Sequence, residues 1–244
     1  RHQLDPAAVA DKAVTILEAI VGTEVVDDSH VGVDGFAARL WPLLSDEPLT
    51  PERVGMLNAA LVLLADHDLS AGTVAARVAA SARGSVYAVI SAGLGAFDGP
   101  MHGGATTFAY RFLAQALDDP ESVVGERLRM GDRIPGTGHV VYRQSDPRAV
   151  TLMEMLRDAG DGDPRVMRAV SSVMGALGSS TFVNSDFALA ALALSYRMRP
   201  DAAETIFAVA RMVGWTAHAL EEYGEKRLRF RPEGVYTGVR PVGV

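Results

Sequence analysis

The chain has 244 residues, enough for one large domain or two unequal ones around a sizeable core. Hydrophobic residues make up 48% and charged residues 22%, an ordinary soluble globular composition; the formal net charge of −7, with no basic run beyond "KRLRFR" (226–231), argues against a nucleic-acid surface. The absence of cysteine excludes disulfides, thiolate catalysis and zinc–thiolate sites, and no apolar run is long enough to cross a bilayer. A reducing compartment is compatible with this, and the cytoplasm is the expected location.

The hydrophobic pattern is helical nearly throughout. Asp5 and Pro6 form a cap and first-turn pair for a helix over 6–21, whose apolar face is Val9, Ala13, Ile16, Leu17 and Ile20. The polar "DDSHVGVDG" (27–35) reads as a connector. In "LTPER", Thr50 caps a helix that starts at Pro51 and runs to about Ala65. One long helix rich in small residues is expected from Ser70 to Leu94, and small residues let helices approach closely. Further helices are expected at 104–117, 119–129, 148–159, 163–177, 186–197 and 200–222, with a Gly/Pro loop over 131–149 and an irregular tail from Arg229 on. No strand alternation and no internal repeat stand out, so the class is all-α.

Of the six histidines, three sit at Gly- or Asp-rich breaks: His67 in "LADHDLSAG", His102 in "GPMHGGA" and His139 in "GTGHVVY". Each is either a loop histidine bonding backbone or a functional group, since such positions both cap helices and carry chemistry. His218 lies mid-helix and reads as structural, while His2 and His30 carry no signal. Arg148 in "SDPRA" stands at a helix start, where its charge opposes the helix dipole; it is a surface arginine or one that faces an anion. Asp186 in "FVNSDFALAAL" marks the border between a polar turn and an apolar helix. An N-cap is the ordinary reason for an aspartate there; the competing role is a general base tuned by partial burial.

Six segments, in order, resemble the citrate synthase family: "ADHDLSAGTVAARV" (65–78), "GPMHGGA" (99–105), "IPGTGHVVYRQSDPRA" (134–149), "VNSDF" (183–187), "ARMVGWTAHALEE" (210–222) and "RPEGVYTG" (231–238). The resemblance covers roughly residues 55–240. It implies a two-domain helical subunit working as a homodimer, with a large domain of 1–103 and 206–244 and a smaller mobile domain of 104–205. It implies a reaction in which acetyl-CoA condenses with oxaloacetate and the thioester is hydrolysed to citrate and CoA. By the same resemblance Asp186 is the base, His102 donates to the enolate oxygen, and His139 polarises the ketone. Arg148, Arg211, Arg231 and His67 would bind the substrate carboxylates, a task that suits the guanidinium fork. Arg231 would reach the partner's site. Arg143 matches a position that contacts CoA phosphate. Gly103 and Gly104 would leave room for the thioester beside His102, and Gly136 and Gly138 would permit the same approach at His139. CoA thioester is then a co-substrate and no tightly bound cofactor is implied; no metal is needed, and no His/Asp/Glu cluster has a recognised ligand spacing.

Four positions depart from the family pattern: Leu64 where a second histidine is usual, Thr106 for Asn, Val140 for Arg, and Glu233 for the second Arg of "RPR". Only 64 residues precede "ADHDL", fewer than in the family, which fits a fragment or a shortened relative. Three alternatives remain open at this level: a 2-methylcitrate synthase using propionyl-CoA, a citryl-CoA-cleaving enzyme, and a non-catalytic dicarboxylate or CoA binder.

Overall fold

A computed structural model describes residues 4–22 and 35–239. His2, His30 and the connector expected at 27–35, apart from Gly35, lie outside the described residues. The described residues form eleven α-helices: α1 (Pro6–Val21), α2 (Phe36–Leu44), α3 (Pro51–Leu64), α4 (Ala71–Ser81), α5 (Val86–Phe97), α6 (Ala105–Gln115), α7 (Pro120–Met130), α8 (Pro147–Ala159), α9 (Pro164–Leu177), α10 (Ser185–Ser195) and α11 (Ala202–Gly224). The all-α class read from the sequence is what they show; the only β-type pairing among them is a bridge between Thr137 and Val183.

Helix starts follow local chemistry. Asp5, Thr50, Asp119, Asp146 and Asp163 each cap a helix whose first residue is proline, and each side chain accepts a backbone N–H of the first turn. Two elements differ from the sequence reading. The expected single helix over 70–94 is a hairpin of α4 and α5, because Arg83 turns left-handed at φ 64° and Ser85 caps a new helix through Ala88 N–H. The unexpected α2 buries Ala37, Leu40, Trp41 and Leu44, although Pro42 in its interior reads as a helix breaker.

The helices pack as two sets. α11 lies against α1, α3, α4 and α5; α10 lies against α6, α8 and α9, and α7 packs on α9. The sets meet where α3 touches α8 and where α11 touches α6 and α10. Glycines bring α4, α5 and α11 together: a Cβ at Gly93 would fall 2.6 Å from the Trp215 ring and one at Gly72 would fall 2.9 Å from it. α10 is apolar on every side, and each residue from Phe187 to Ala193 is fully buried, which marks it as the central rod of its set. The joint between sets is also polar: Asp161 accepts from Tyr196 Oη (2.8 Å) and from Arg53 Nε (3.0 Å) of α3.

Candidate active site

His67 lies in the loop between α3 and α4. Gly214 lets this loop rest on α11, since a Cβ there would lie 2.2 Å from the Ala65 carbonyl oxygen. The next residue but one after Asp66, Asp68, is left-handed at φ 51°, uncommon outside glycine. The His67 ring meets His139 (centroids 4.8 Å) and Tyr142 (5.4 Å), and His139 meets Tyr142 at 5.0 Å. Burial, then the charges of Arg148, His139 and Arg211, hold the His67 pKa down to about 4 against the opposing pull of Asp146. The ring is therefore neutral at pH 7. Its Nε2 is buried and has no hydrogen-bond partner among the described residues.

His102 sits in the turn between α5 and α6, packed by Phe97 (5.1 Å) and Phe207 (6.0 Å). The glycines after it are required by protein packing. A Cβ at Gly103 would fall 2.1 Å from the Phe97 ring, and one at Gly104 would lie 3.1 Å from Pro100 Cα. Thr106 braces the turn by donating its hydroxyl to the Gly103 carbonyl at 2.7 Å. Burial and then Arg211 lower the His102 pKa, partly opposed by the Ala96 carbonyl. His102 Nδ1 is also buried without a partner among the described residues.

His139 is oriented by its own loop. Its Nδ1 accepts from the backbone N–H of Val141 (3.0 Å) and Tyr142 (3.4 Å). Those bonds place the proton of the neutral ring on Nε2, which becomes a donor. Burial and then Arg148 lower its pKa, with Asp146 opposing. Gly136 and Gly138 are left-handed at φ 76° and 69°. At Gly136 the close approach is to protein, because a Cβ would lie 2.7 Å from Phe187 Cβ. The Gly136 carbonyl accepts Asn184 N–H at 2.9 Å and the Gly138 carbonyl accepts Asn184 Nδ2–H at 2.9 Å, which docks this loop on the start of α10.

That docking frees Asp186. The α10 cap is Asn184, whose Oδ1 accepts the N–H of Asp186 at 2.9 Å and of Phe187 at 3.4 Å. Asp186 is thus not the cap, and its carboxylate accepts no hydrogen bond among the described residues. Burial pushes its pKa up to about 6; Arg148 pulls it down and Asp146 pushes it up. A carboxylate tuned toward neutrality and left without a donor has the character of a general base.

The anion that offsets Arg148 at the start of α8 is Asp146. Asp146 accepts Arg148 Nε at 3.0 Å and Nη2 at 2.8 Å, caps the helix through Arg148 N–H, and accepts Ser185 N–H of α10 at 3.0 Å. Burial alone would raise the Asp146 pKa, but the Arg148 bonds, then those of the Ser185 and Arg148 N–H groups, hold it below the usual range. Arg148 also lies over the Tyr142 ring at 5.4 Å. Arg211, fully buried in α11, is differently placed: Nε donates to the Leu64 carbonyl (2.9 Å), Nη1 to Ser70 Oγ (3.3 Å), and Nη2 has no partner among the described residues. Burial, then Arg148, lowers its pKa to about 10, with Asp66 opposing.

The structure thus gathers His67, His139, Arg148, Arg211 and Asp186 into one electrostatic neighbourhood, with His102 beside Arg211 through Phe207. Arg143 lies outside it, exposed along a groove of about 640 Å³ that His139, Tyr142 and Arg133 also line. Arg231 is exposed in the tail. Three participants escaped the sequence reading: Asp146 and Asn184, each legible as a helix cap, and Tyr142, which carried no signal of its own.

Against known proteins, the citrate synthase C-terminal domain family matches residues 6–233. The chain belongs to the citrate synthase family. It is 36% identical over 210 residues to citrate synthase 2 of Bacillus subtilis, covering 84% of this chain and 56% of that protein. It is 32% identical over 222 residues to the 2-methylcitrate synthase of Shewanella oneidensis, covering 88% and 58%. The chain therefore spans a little over half the length of these curated relatives. The solved citryl-CoA lyase of Hydrogenobacter thermophilus superposes with a TM-score of 0.77 at 29% identity, covering 88% of this chain and 89% of that one. Of the departures from the citrate synthase family pattern, Leu64 is buried in the core, Thr106 closes the His102 turn, and Val140 and Glu233 are exposed.

Proposed function

We propose that this chain is a citrate synthase-type acyltransferase. The carrying observation is the pairing of Asp186, raised to about 6 and released from capping, with His139 locked as an Nε2 donor. The Asp186 carboxylate takes a proton from the methyl of acetyl-CoA, a very weak carbon acid. His102, neutral and buried, donates to the thioester oxygen on which the enolate charge develops, where a placed donor counts most. The enolate carbon attacks the ketone carbon of oxaloacetate. His139 Nε2–H donates to the ketone oxygen, which becomes the hydroxyl of citryl-CoA. Water then displaces CoA thiol from the thioester, leaving citrate. Arg211 Nη2 and the remaining Nη1 of Arg148 bind the dicarboxylate with His67, which supports the substrate roles of all three.

The remainder of the reading concerns assembly. Arg143 and the groove beside His139 suit an anionic CoA, with Gly136 and Gly138 shaping the loop. The helix set of 104–205 would close on that of 1–103 and 206–244. The tail with Arg231 would complete the partner's site in a homodimer, a role supported by its exposure and by the exposed Val74, Val78 and Tyr87 of α4 and α5. The expected setting is the cytoplasm; among the described residues no helix is long and apolar enough to cross a membrane. Propionyl-CoA in place of acetyl-CoA would give 2-methylcitrate, a difference of one methyl, about 1–3 kcal/mol in a pocket.

One observation favours a second reading. The citryl-CoA lyase superposes on this chain with a TM-score of 0.77, and the same groups run in reverse would cleave citryl-CoA to acetyl-CoA and oxaloacetate. The deciding assay follows CoA thiol release from acetyl-CoA and propionyl-CoA with oxaloacetate, and acetyl-CoA formation from citryl-CoA, for this chain and Asp186→Ala. Thiol release that needs oxaloacetate and disappears in the variant supports the synthase. Citryl-CoA cleavage without thiol release supports the lyase. Neither activity in a folded, dimeric preparation rejects both.

A further inference from the structure

We infer that Glu222 is a positioning residue that sets, from one buried carboxylate, both the loop carrying His67 and the tail carrying Arg231; the substrate roles of those two residues rest on the function proposed above. Glu222 lies near the end of α11 with its side chain wholly buried. On one side it accepts Arg229 Nε at 2.7 Å and Nη2 at 2.6 Å, which pins the root of the tail. Leu228, next to that anchor, is left-handed at φ 55° and its N–H donates to the Ser81 carbonyl at 3.0 Å. Leucine rarely adopts this conformation without external constraint. The root of the tail is therefore held at Leu228, three residues before Arg231, in a conformation it would otherwise leave.

On the other side Glu222 accepts Arg77 Nε at 3.1 Å. Arg77 reaches His218 Nδ1 with Nη1 at 2.7 Å, and His218 Nε2 meets Asp66 Oδ1 at 3.1 Å. Asp66 directly precedes His67, in a loop whose next residue, Asp68, is again left-handed. A continuous polar chain thus links Arg229, Glu222, Arg77, His218 and Asp66, and each end terminates near a left-handed residue and a proposed carboxylate donor. Removing a carboxylate with three guanidinium bonds and no solvent exposure leaves Arg229 without its ion-pair partner among the described residues and Arg77 with only the exposed Glu221, 2.8 Å from its Nη1. Glu222 touches neither donor, so its effect is on their placement.

The test compares wild type, Glu222→Gln, Asp66→Asn and Arg229→Gln. Two readouts need no turnover. The first is trypsin cleavage after Arg229, which must leave Glu222 to enter the protease, with cleavage after Arg143, exposed in the loop between α7 and α8, as internal control. The second is the NMR signal of the His67 ring. Glu222→Gln is expected to speed cleavage after Arg229 about tenfold relative to Arg143 and to shift the His67 signal. Asp66→Asn shifts only the signal and Arg229→Gln loosens only the tail, read there as cleavage after Arg227; these two cover the case of a Glu222 variant that does not fold. In the assay, Glu222→Gln raises the oxaloacetate KM by about tenfold with a smaller change in kcat. A folded Glu222→Gln that leaves either the cleavage ratio or the His67 signal unmoved overturns the inference, as do single variants that each disturb both ends equally or neither. Wild-type inactivity toward oxaloacetate and citryl-CoA overturns the proposed function, while cleavage and signal still decide the positioning.

Discussion

The two sides of the site differ in how completely the protein satisfies itself. On the α8–α10 side, Asp146 takes the Nε and Nη2 edge of the Arg148 fork, caps α8 and accepts the Ser185 N–H, while Asn184 caps α10 and grips the His139 loop. On the side built from α3, α4, α5 and α11, four buried polar atoms have no partner among the described residues: His67 Nε2, His102 Nδ1, Arg211 Nη2 and Trp215 Nε1. Buried donors without partners are costly, of order 1–3 kcal/mol each. The contrast teaches a division of labour. The satisfied side keeps geometry, and three of the four open atoms belong to residues that the proposed chemistry asks to meet an anion or an enolate oxygen.

The sharpest way to break the comparison is at Asp186, whose carboxylate has no donor among the described residues. Asp186→Asn should lower kcat by about 10²–10⁴-fold. The same variant should be more stable at pH 8, by about 1–3 kcal/mol in urea unfolding, since the half-buried carboxylate with a pKa near 6 is ionised there at a cost. Loss of activity with loss of stability would instead make Asp186 structural.

Next in size is the open guanidinium. A dicarboxylate such as oxaloacetate should raise the melting temperature, and Arg211→Met should abolish that rise, a loss of about 1.5–3 kcal/mol in binding for a charged hydrogen bond. An undiminished shift in the variant would mean that Arg211 does not face the ligand.

Gly103→Ala tests packing on the open side. The added methyl must displace the Phe97 ring, and a destabilisation of about 1–3 kcal/mol is expected together with reduced activity through His102. A silent substitution would return the glycine to the thioester.

The smallest effect is in pH. His67 is held at about 4 against 6.5 unfolded, so the unfolded chain takes up its proton first and stability falls as pH drops through that window. Asp186, raised from 3.8 to about 6, acts with the opposite sign: its folded form keeps a proton the unfolded form has lost, so stability falls as pH rises from 3.8 to 6. Asp186→Asn should steepen the acid loss by up to about 1.4 kcal/mol per pH unit, and His67→Asn should flatten it. Urea midpoints between pH 4 and 6.5 read both.

Much of this was legible in the residues. Caps of the Asp-Pro and Thr-Pro kind fixed where helices begin, and the gathering of distant histidines and arginines followed from motif order. What escaped has physical reasons. Pro42 hid α2, because a breaker inside a short apolar stretch outweighs its spacing. The α4–α5 turn rests on a left-handed arginine, which no propensity announces. The glycines at 103 and 136 signalled close approach correctly, but whether a glycine makes room for a ligand or for a neighbouring ring depends on tertiary packing. Asp186 looked like a cap because Asn184, two residues earlier, could do the same work, and only the hydrogen bonds tell them apart.

α10 carries one last consequence. A helix sealed by neighbours on every face has no partial way to come loose, so its amides should exchange with solvent only when the whole molecule opens. The carboxylate at its first turn is therefore tethered to the slowest-exchanging segment of the chain. Its lifetime in place is that of the native state itself, and a heat-weakened molecule would lose its base only by losing everything.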